Sequence, residues 1–258
     1  METHLGTVAA CWRYPVKSFQ GAQVESLEFT RWGASGDRAW GLIDAESGSL
    51  MTAKRYSRLL EARADGEAIT LPDGTELALA HPDTSAALSA WLGRTVTLAR
   101  PEESPQRAYE MTFDPPNDDA EYVEIPTPAE TFLDLAAAHL ISNATLEGCR
   151  ASRPDLNWDV RRFRPNLVLE PTGPAEAFHE QLWQSKSLRL GSVTMDVLGP
   201  TVRCAMPLRA QPGGIDRQAE TFVSLCELNP EFPNHLGVYL SVTQAGTVTT
   251  GDAVTLLG

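Results

Sequence analysis

The 258-residue sequence lacks the features of several protein classes. Its 21 lysines and arginines are outnumbered by 34 acids, which gives a formal net charge of -13. Such a chain is a poor candidate for binding nucleic acid or an anionic membrane, because both rely on basic side chains. No apolar run approaches the ~20 residues that span a bilayer, and the N-terminus does not resemble a signal peptide. We therefore expect a cytoplasmic protein that binds neither nucleic acid nor membrane.

Cysteine is scarce and scattered. The four residues, none in a C-x-x-C pair, are Cys11, Cys149, Cys204 and Cys226. This spacing argues against a structural zinc site and a disulfide scaffold. It also offers no cluster of cysteines for an iron–sulfur centre, so we expect none in this chain. Three of the four are predicted to be small buried apolar residues.

Two nucleotide-binding motifs are also missing, since neither G-x-G-x-x-G nor G-x-x-x-x-G-K-[ST] occurs. Predicted strands outnumber helices and do not alternate with them, which argues against a doubly wound sheet. The pattern favours a β-rich α+β fold, with a barrel-like core and flanking helices.

Local patterns predict several elements. Asp73-Gly74, between two apolar segments, predicts a hairpin. Helical spacing predicts helices over Asp83–Leu92, over Thr131–Leu140, and from Asp216 to about Leu228. Strand patterns occupy Thr7–Trp12, Val24–Phe29, Thr95–Ala99, Asn166–Glu170, Leu188–Leu198, Val238–Val242 and Val248–Leu257.

Residues 101–128 differ from the rest of the chain, because six prolines alternate there with acidic residues. Such composition is typical of a linker rather than of a packed element. We therefore predict a domain boundary here, with one domain over residues 1–118 and a second over residues 119–258.

An arginine cluster stands out on this acidic chain. It is a solvated surface stretch, a set of side chains paired with distant acids, or a group aimed at an anion, and the planar guanidinium suits phosphate. Arg164-Pro165-Asn166 leads directly into an apolar strand, and loops at strand ends often display binding groups. The five arginines are Arg150, Arg153, Arg161, Arg162 and Arg164.

Two further segments carry candidate binding groups. In Tyr14-Pro15-Val16-Lys17-Ser18 a proline turn offers an ammonium and a hydroxyl group, although most such lysines are simply exposed. In the turn from Gly33 to Trp40, Asp37 could orient a neighbour such as Arg38. An ordinary hairpin with a local ion pair explains this turn equally well.

Cys204 follows a strand and the break at Gly199-Pro200. The adjacent Arg203 favours a thiolate, and a thiolate is a soft metal ligand. One cysteine cannot build a structural metal site. It can supply the single protein bond to a metal that an organic dithiolate otherwise holds, or it can be an inert packing residue.

Taken in order, these segments resemble the MOSC family, nearest to the mitochondrial amidoxime-reducing component and its bacterial counterparts. The resemblance covers essentially the whole chain and implies an N-terminal MOSC β-barrel-like domain followed by a MOSC domain. The segments are Tyr14-Pro15-Val16-Lys17-Ser18, Gly36-Asp37-Arg38, Arg162-Phe163-Arg164-Pro165-Asn166, Arg203-Cys204 and Gly251-Asp252-Ala253-Val254.

The resemblance implies a molybdenum cofactor, a pterin that carries a dithiolene and a phosphate. The family's metal ligand and catalytic cysteine corresponds to Cys204. The positions that hold the cofactor in the family correspond to Lys17, Ser18, Arg38, Ser142, Asn143, Arg164, Asn166, Arg203 and Tyr239.

The resemblance also implies an activity: reduction of small N-hydroxylated compounds such as amidoximes, hydroxylamines and N-hydroxylated bases. Electrons would come from a separate protein of the ferredoxin, cytochrome or flavoprotein type. Two alternatives remain open. One is a non-catalytic carrier of the cofactor or of its sulfur, with a persulfide on Cys204, and the other is an interaction domain that has lost the cofactor.

One segment departs from the family. After the cysteine many relatives continue with a stretch like Thr-Thr-Val-Asp-Pro-x-Thr-Gly, whereas residues 205–216 here read AMPLRAQPGGID. The usual acid is displaced or missing, and Asp216 is the candidate to take its place. The substrate preference is therefore open.

Overall fold

The computed structural model describes residues 2–103, 108–117, 120–126 and 131–258. The predicted domain boundary between residues 118 and 119 lies outside the described residues and stays a prediction. The strands are β1 Thr3–Arg13, β2 Ala22–Val24, β3 Ser26–Thr30, β4 Gly33–Ala34, β5 Gly41–Asp44, β6 Arg63–Ala64, β7 Ala68–Thr70, β8 Glu76–Ala78, β9 Val96–Ala99, β10 Ala108–Met111, β11 Val123–Pro126, β12 Ala138–Ser142, β13 Leu167–Pro171, β14 Ser187–Leu190, β15 Val193–Val202, β16 His235–Gln244, β17 Gly246–Thr249 and β18 Ala253–Leu257. The helices are α1 Thr84–Leu92, α2 Asn143–Ser152, α3 Val160–Phe163 and α4 Glu220–Leu228.

Seven strands close into a barrel in the order β13-β12-β16-β15-β14-β18-β1, and β1 returns to β13. Strand β1 pairs antiparallel with both β13 and β18, so that the start of the chain closes the barrel made by its end. Side chains alternate along the strands, as β15 shows with Val193, Met195 and Val197 buried in the barrel core. The predicted β-rich fold with a barrel core and flanking helices is confirmed.

A second apolar cluster lies outside the barrel and is built mostly from the first hundred residues. Phe19, Leu42, Leu59 and Leu88 are fully buried in it, with α1 and the sheet β6-β7-β8 around them. Met206, from the loop after β15, also packs into this cluster. The loop that carries Cys204 therefore lies between the barrel and the second cluster.

Two predictions that rest on local signals are confirmed. Helix α1 covers the predicted Asp83–Leu92 within one residue, and β7 and β8 form the hairpin predicted at Asp73-Gly74. Leu188–Leu198 and Val248–Leu257 were each predicted as one strand, but each comprises two strands joined by a tight turn.

Among the described residues, no helix has the length and apolar character needed to cross a membrane.

The helix predicted over Thr131–Leu140 is wrong. Its last three residues begin β12, whose five residues are all buried between β13 on one side and β16 on the other. A strand buried on both faces is apolar without alternation, and over a few residues this pattern resembles one face of a helix. The helix predicted from Asp216 begins later, at Glu220.

Candidate functional site

A cavity of about 450 Å³ lies at the junction of the barrel and the second cluster. Most of the residues predicted to bind a cofactor line it, although they come from distant parts of the chain. Those that line it are Lys17, Ser18, Arg38, Arg164, Asn166, Arg203, Cys204 and Tyr239.

Two guanidinium groups lie over one tyrosine ring beside the cavity. The Cζ atoms of Arg38 and Arg164 are 4.4 and 4.2 Å from the ring centroid of Tyr14, within range of cation–π attraction. Burial, reinforced by the like charge of Arg38, lowers the pKa of Arg164 to about 10. Two like charges held this close in a buried position favour an anion in the cavity.

The buried carboxylate of Asp37 holds these groups in place. It accepts hydrogen bonds from the backbone N–H of Tyr14 at 2.7 Å and from Nδ2 of Asn166 at 2.9 Å, and it forms an ion pair with Arg38. Asn166 in turn donates to the carbonyl of Trp12 and accepts from the backbone N–H of His139, both at 3.3 Å. Asn166 therefore ties three chain segments together at the floor of the site.

A second basic group consists of two buried lysines. The ammonium of Lys17 donates to the carbonyl of Phe132 at 2.5 Å and to Oδ1 of Asp134, while Lys54 donates to Oδ2 of Asp134 at 2.9 Å. Burial lowers the pKa of Lys17 to about 8, against the attraction of Asp134. Burial raises the pKa of Asp134, but the two lysines outweigh this effect and leave the pKa below its ordinary value.

The sequence analysis missed Lys54 and Asp134. Lys54 follows an apolar stretch with no motif around it. Asp134 belongs to the segment that was predicted to be a helix, and an isolated acidic residue on a helix is usually exposed to solvent. Lys54 and Asp134 are 80 positions apart in the sequence and come into contact only in the folded chain.

Arg203 and His139 form the wall next to Cys204. Nη2 of Arg203 donates to the carbonyl of Phe163 at 2.7 Å, and Nη1 lies 3.4 Å from Nε2 of His139. The buried Nε of Arg203 has no hydrogen-bond partner among the described residues. Burial and the charge of Arg203 lower the pKa of His139 well below its ordinary value, so the ring is neutral at physiological pH.

Two of the four free cysteines line the cavity, and both are partly exposed: Cys204, and Cys226 of α4. Cys11 and Cys149 are buried in apolar clusters, as predicted for packing residues. The prediction of a third buried cysteine is wrong, because Cys226 is partly exposed at the cavity. Burial raises the pKa of Cys11 to about 11 and that of Cys149 to about 12, which keeps both as thiols. Among the described residues, no three His, Cys, Asp or Glu side chains converge on a possible metal position.

Two predicted residues lie elsewhere. Ser142 caps α2, where its hydroxyl accepts from the N–H of Ala144, and Asn143 donates to Glu170 at 2.6 Å. Neither lines the cavity. Asp216 is also absent from the lining, whereas Asp134 is an acid that does line it.

The five arginines of the cluster make different contacts in the structure. Arg162 is buried and donates to three backbone carbonyls, those of Asn157, Pro207 and Asp216. Arg153 and Arg161 form ion pairs with nearby aspartates, and Arg150 donates to a backbone carbonyl. Arg162 and Arg164 are the two arginines of the cluster that line the cavity, and Arg164 donates to the carbonyl of Phe19.

Comparison with known proteins agrees with this arrangement. The MOSC N-terminal beta barrel domain matches residues 5–110, and the MOSC domain matches residues 129–255. The rat protein named mitochondrial amidoxime reducing component 2 is 26% identical over 97% of this chain and 83% of its own length. The human protein named mitochondrial amidoxime-reducing component 1 is 26% identical over 98% of this chain and 84% of its own length.

A third relative has a different name. The rice molybdenum cofactor sulfurase is 28% identical over 82% of this chain and 29% of its own length. The two domain matches occur in the order expected from the sequence motifs and together cover most of the chain. This chain therefore belongs to the MOSC family, with a MOSC N-terminal beta barrel domain followed by a MOSC domain.

Proposed function

We propose that the cavity holds a molybdenum cofactor and that Cys204 is the single protein ligand of its metal. The observation that carries this proposal is a partly exposed thiol in a cavity lined by buried cationic side chains. The guanidinium of Arg203, the residue next to Cys204 in sequence, lines the same cavity. A thiolate suits a soft metal, and the cationic side chains suit a phosphate.

The side chains around the cavity fit the polar parts of such a cofactor. Arg38, Arg164 and Lys17 offer positive charge to the phosphate, and the buried Nε of Arg203 is a donor without an acceptor in the described structure. An unsatisfied buried donor costs about 1–3 kcal/mol, which an acceptor on a ligand would recover. Ser142 and Asn143, at the start of α2, stay predictions as cofactor-binding residues.

We further propose that the chain is a reductase of small N-hydroxylated compounds, with electrons from a separate protein. The names of the mammalian relatives support this activity. When bound, the cofactor supplies the two-electron chemistry that such a reduction needs. The chain orients the site through Asp37 and Asn166, and Tyr239 keeps its phenolic proton because burial raises its pKa.

A second candidate is a carrier of the cofactor or of its sulfur. The name of the rice relative favours this role, and a partly exposed Cys204 can carry a persulfide sulfur. The two candidates differ in turnover, because only a reductase consumes an amidoxime.

The test compares the molybdenum content of the wild type, Cys204→Ala and Cys226→Ala, each purified from a host that makes the cofactor. Cys226 is the matched control, since it is a thiol on the same cavity. We expect about one molybdenum per chain in the wild type and in Cys226→Ala, and none in Cys204→Ala. A molybdenum-loaded Cys204→Ala protein contradicts the ligand assignment.

The loaded wild type is then given benzamidoxime and an artificial electron donor. Consumption of benzamidoxime supports the reductase. A loaded protein that leaves it unchanged, but carries a sulfur removable from Cys204 by cyanide, supports the carrier instead.

A further inference from the structure

Among the described residues, every exposed member of the cavity lining is apolar. The charged members are buried or mostly buried: the most exposed of them is Asp134, with 31% of its side chain accessible, and it forms ion pairs with two lysines. Residues that both line the cavity and are exposed lie where it opens to solvent, and we call these four the rim. They are Phe113, Leu135, Val202 and Pro233.

Large exposed apolar side chains at one opening are unusual on a chain with a net charge of -13. Phe113 is 79% exposed, Leu135 50% and Val202 43%. A single exposed apolar residue is normal, but a group of them around an opening is typical of a surface that binds something. The rim residues come from four separate segments of the chain, and the fold brings them to one cavity.

The rim borders a concave site. Its residues line the same cavity as Cys204 and the buried cationic side chains. A cavity lined by apolar side chains with a few polar groups inside is the usual form of a small-molecule site, whereas a protein partner covers about 800 Å² on each side. The rim therefore fits the apolar part of a small ligand whose polar end enters the cavity.

We propose that the rim selects substrates in which the N–OH group is joined to an aryl or branched alkyl body. The reacting group rests on the function proposed above, which assigns the buried cations to the cofactor and Cys204 to its metal. A substrate then approaches from the rim, with its N–OH group inward and its body against Phe113, Leu135 and Val202. The body gains free energy by leaving water, and an aromatic body gains more against the ring of Phe113.

The rim distinguishes among the three kinds of N-hydroxylated compound named above. Hydroxylamine itself has no apolar body for the rim to contact. An N-hydroxylated base carries ring nitrogens and carbonyl groups, which would lose hydrogen bonds to water against apolar side chains. An aryl amidoxime has all its polar atoms in the head group and an apolar ring beyond it. Aryl amidoximes are therefore the preferred class.

The test is a calorimetric titration of the protein, purified from a host that makes the cofactor, with two amidoximes. They are benzamidoxime and acetamidoxime, in which a methyl group replaces the phenyl ring. Without an electron donor there is no turnover, so the titration measures binding alone. We expect the wild type to bind benzamidoxime about thirtyfold more tightly. Phe113→Ala should reduce this preference about fivefold and leave the Kd of acetamidoxime unchanged.

Matched controls separate the rim from exposed apolar residues elsewhere. Leu135→Ala should reduce the preference about threefold. Its control is Leu198→Ala, because Leu198 is also 50% exposed but does not line the cavity. Leu182→Ala is the control for Phe113→Ala, since Leu182 is 73% exposed and also outside the lining. Both controls should keep the preference of the wild type. Near-ultraviolet circular dichroism establishes that each variant is folded.

A loss of preference in either rim variant, beyond that of its control, supports the proposal. Equal binding of the two amidoximes by the wild type overturns it. So does a preference that neither Phe113→Ala nor Leu135→Ala lowers more than its control.

Kinetics with an artificial electron donor distinguish substrate selection from docking of the donor protein. Phe113→Ala should raise the KM for benzamidoxime with the artificial donor and change kcat little. An effect that appears only with a protein donor assigns the rim to donor docking and overturns the proposal. A protein that holds no molybdenum, or that reduces neither amidoxime, refutes the proposed function instead. The ratio of the two Kd values still decides whether the rim selects the apolar body.

Discussion

At the scale of single side chains, the protonation of Lys17 makes the stability of the fold depend on pH. Its pKa in the folded protein, about 8, lies below the ordinary value of 10.5. Below pH 8 both the folded and the unfolded chain hold the proton, so the cost of burying the charge is fully present. Between about pH 8 and 10.5 the folded chain has lost a proton that the unfolded chain keeps, and stability rises with pH.

We therefore predict that the wild type gains stability relative to Lys17→Met as the pH rises from 7.5 to 10. The gain should be about 2 kcal/mol over this interval, since each pKa unit corresponds to about 1.4 kcal/mol. Urea unfolding of both proteins across the pH range measures it. A difference between the two proteins that stays constant with pH is the contrary result. Lys54→Met, measured in parallel, shows whether the second lysine shares the titration.

The residues of the site were predictable from the sequence where they belong to short motifs. Motifs of adjacent residues identified Lys17-Ser18, Arg38 and Arg203-Cys204, and all of these residues line the cavity. Asp134 carries none, because its partners reach it only after the chain folds. Arg162 and Arg164 both line the cavity, yet Arg162 donates to three backbone carbonyls, whereas Arg164 donates to one and lies over the ring of Tyr14. Neighbouring residues of one type can be told apart only by their surroundings.

At the scale of elements, β16 carries a glycine that sets the spacing of the site. Gly237 has φ 78°, and a Cβ built on it would lie 2.5 Å from Nε2 of His139 and 2.6 Å from the carbonyl oxygen of Leu140. Both neighbours belong to β12, and the backbone atom has no room to withdraw. The glycine thus permits β16 to approach β12 closely behind Arg203.

We predict that Gly237→Ala lowers the free energy of unfolding by about 3 kcal/mol and also reduces cofactor retention, because His139 must move. Gly74→Ala is the matched control. Gly74 has φ 87° in the hairpin turn, but its added Cβ would meet nothing within 4 Å, so only the strain of about 1 kcal/mol applies. Urea unfolding and molybdenum analysis measure the two effects. Equal losses in the two variants would show that contact with β12 is not the cause.

The elements differ in how far the sequence determines them. Helix α1 and the β7–β8 hairpin depend on short-range signals, a helical repeat and an Asp-Gly turn, and both were predicted. Strand β12 depends on what surrounds it, because its partners β13 and β16 come later in the chain. The turns that divide the strand patterns at Gly191-Ser192 and Gly251-Asp252 were missed, since the apolar alternation continues on both sides.

At the scale of the whole molecule, the two halves of the chain share one barrel. Strand β1 contributes Val8 and Cys11 to the barrel core, and β3 pairs with β17 along its length. Removal of the first half would leave β13 and β18 as unpaired edges.

We predict that a fragment of residues 129–258 does not fold by itself. It should lack cooperative urea unfolding and a near-ultraviolet dichroism signal, because the barrel cannot close and its core is exposed. Co-expression with residues 1–128 as a separate chain should restore both signals. A fragment that unfolds cooperatively when alone would contradict the prediction.

The pairing of β1 has a consequence for the order of events during synthesis. Residues 4–11 leave the ribosome early, but their partners at 167–171 and 253–255 are made much later. Contacts of such sequence separation form slowly, and until then β1 exposes an apolar face and both edges. The barrel and its cavity therefore form only after β18 has been synthesised. Any cofactor can enter the cavity only after that point.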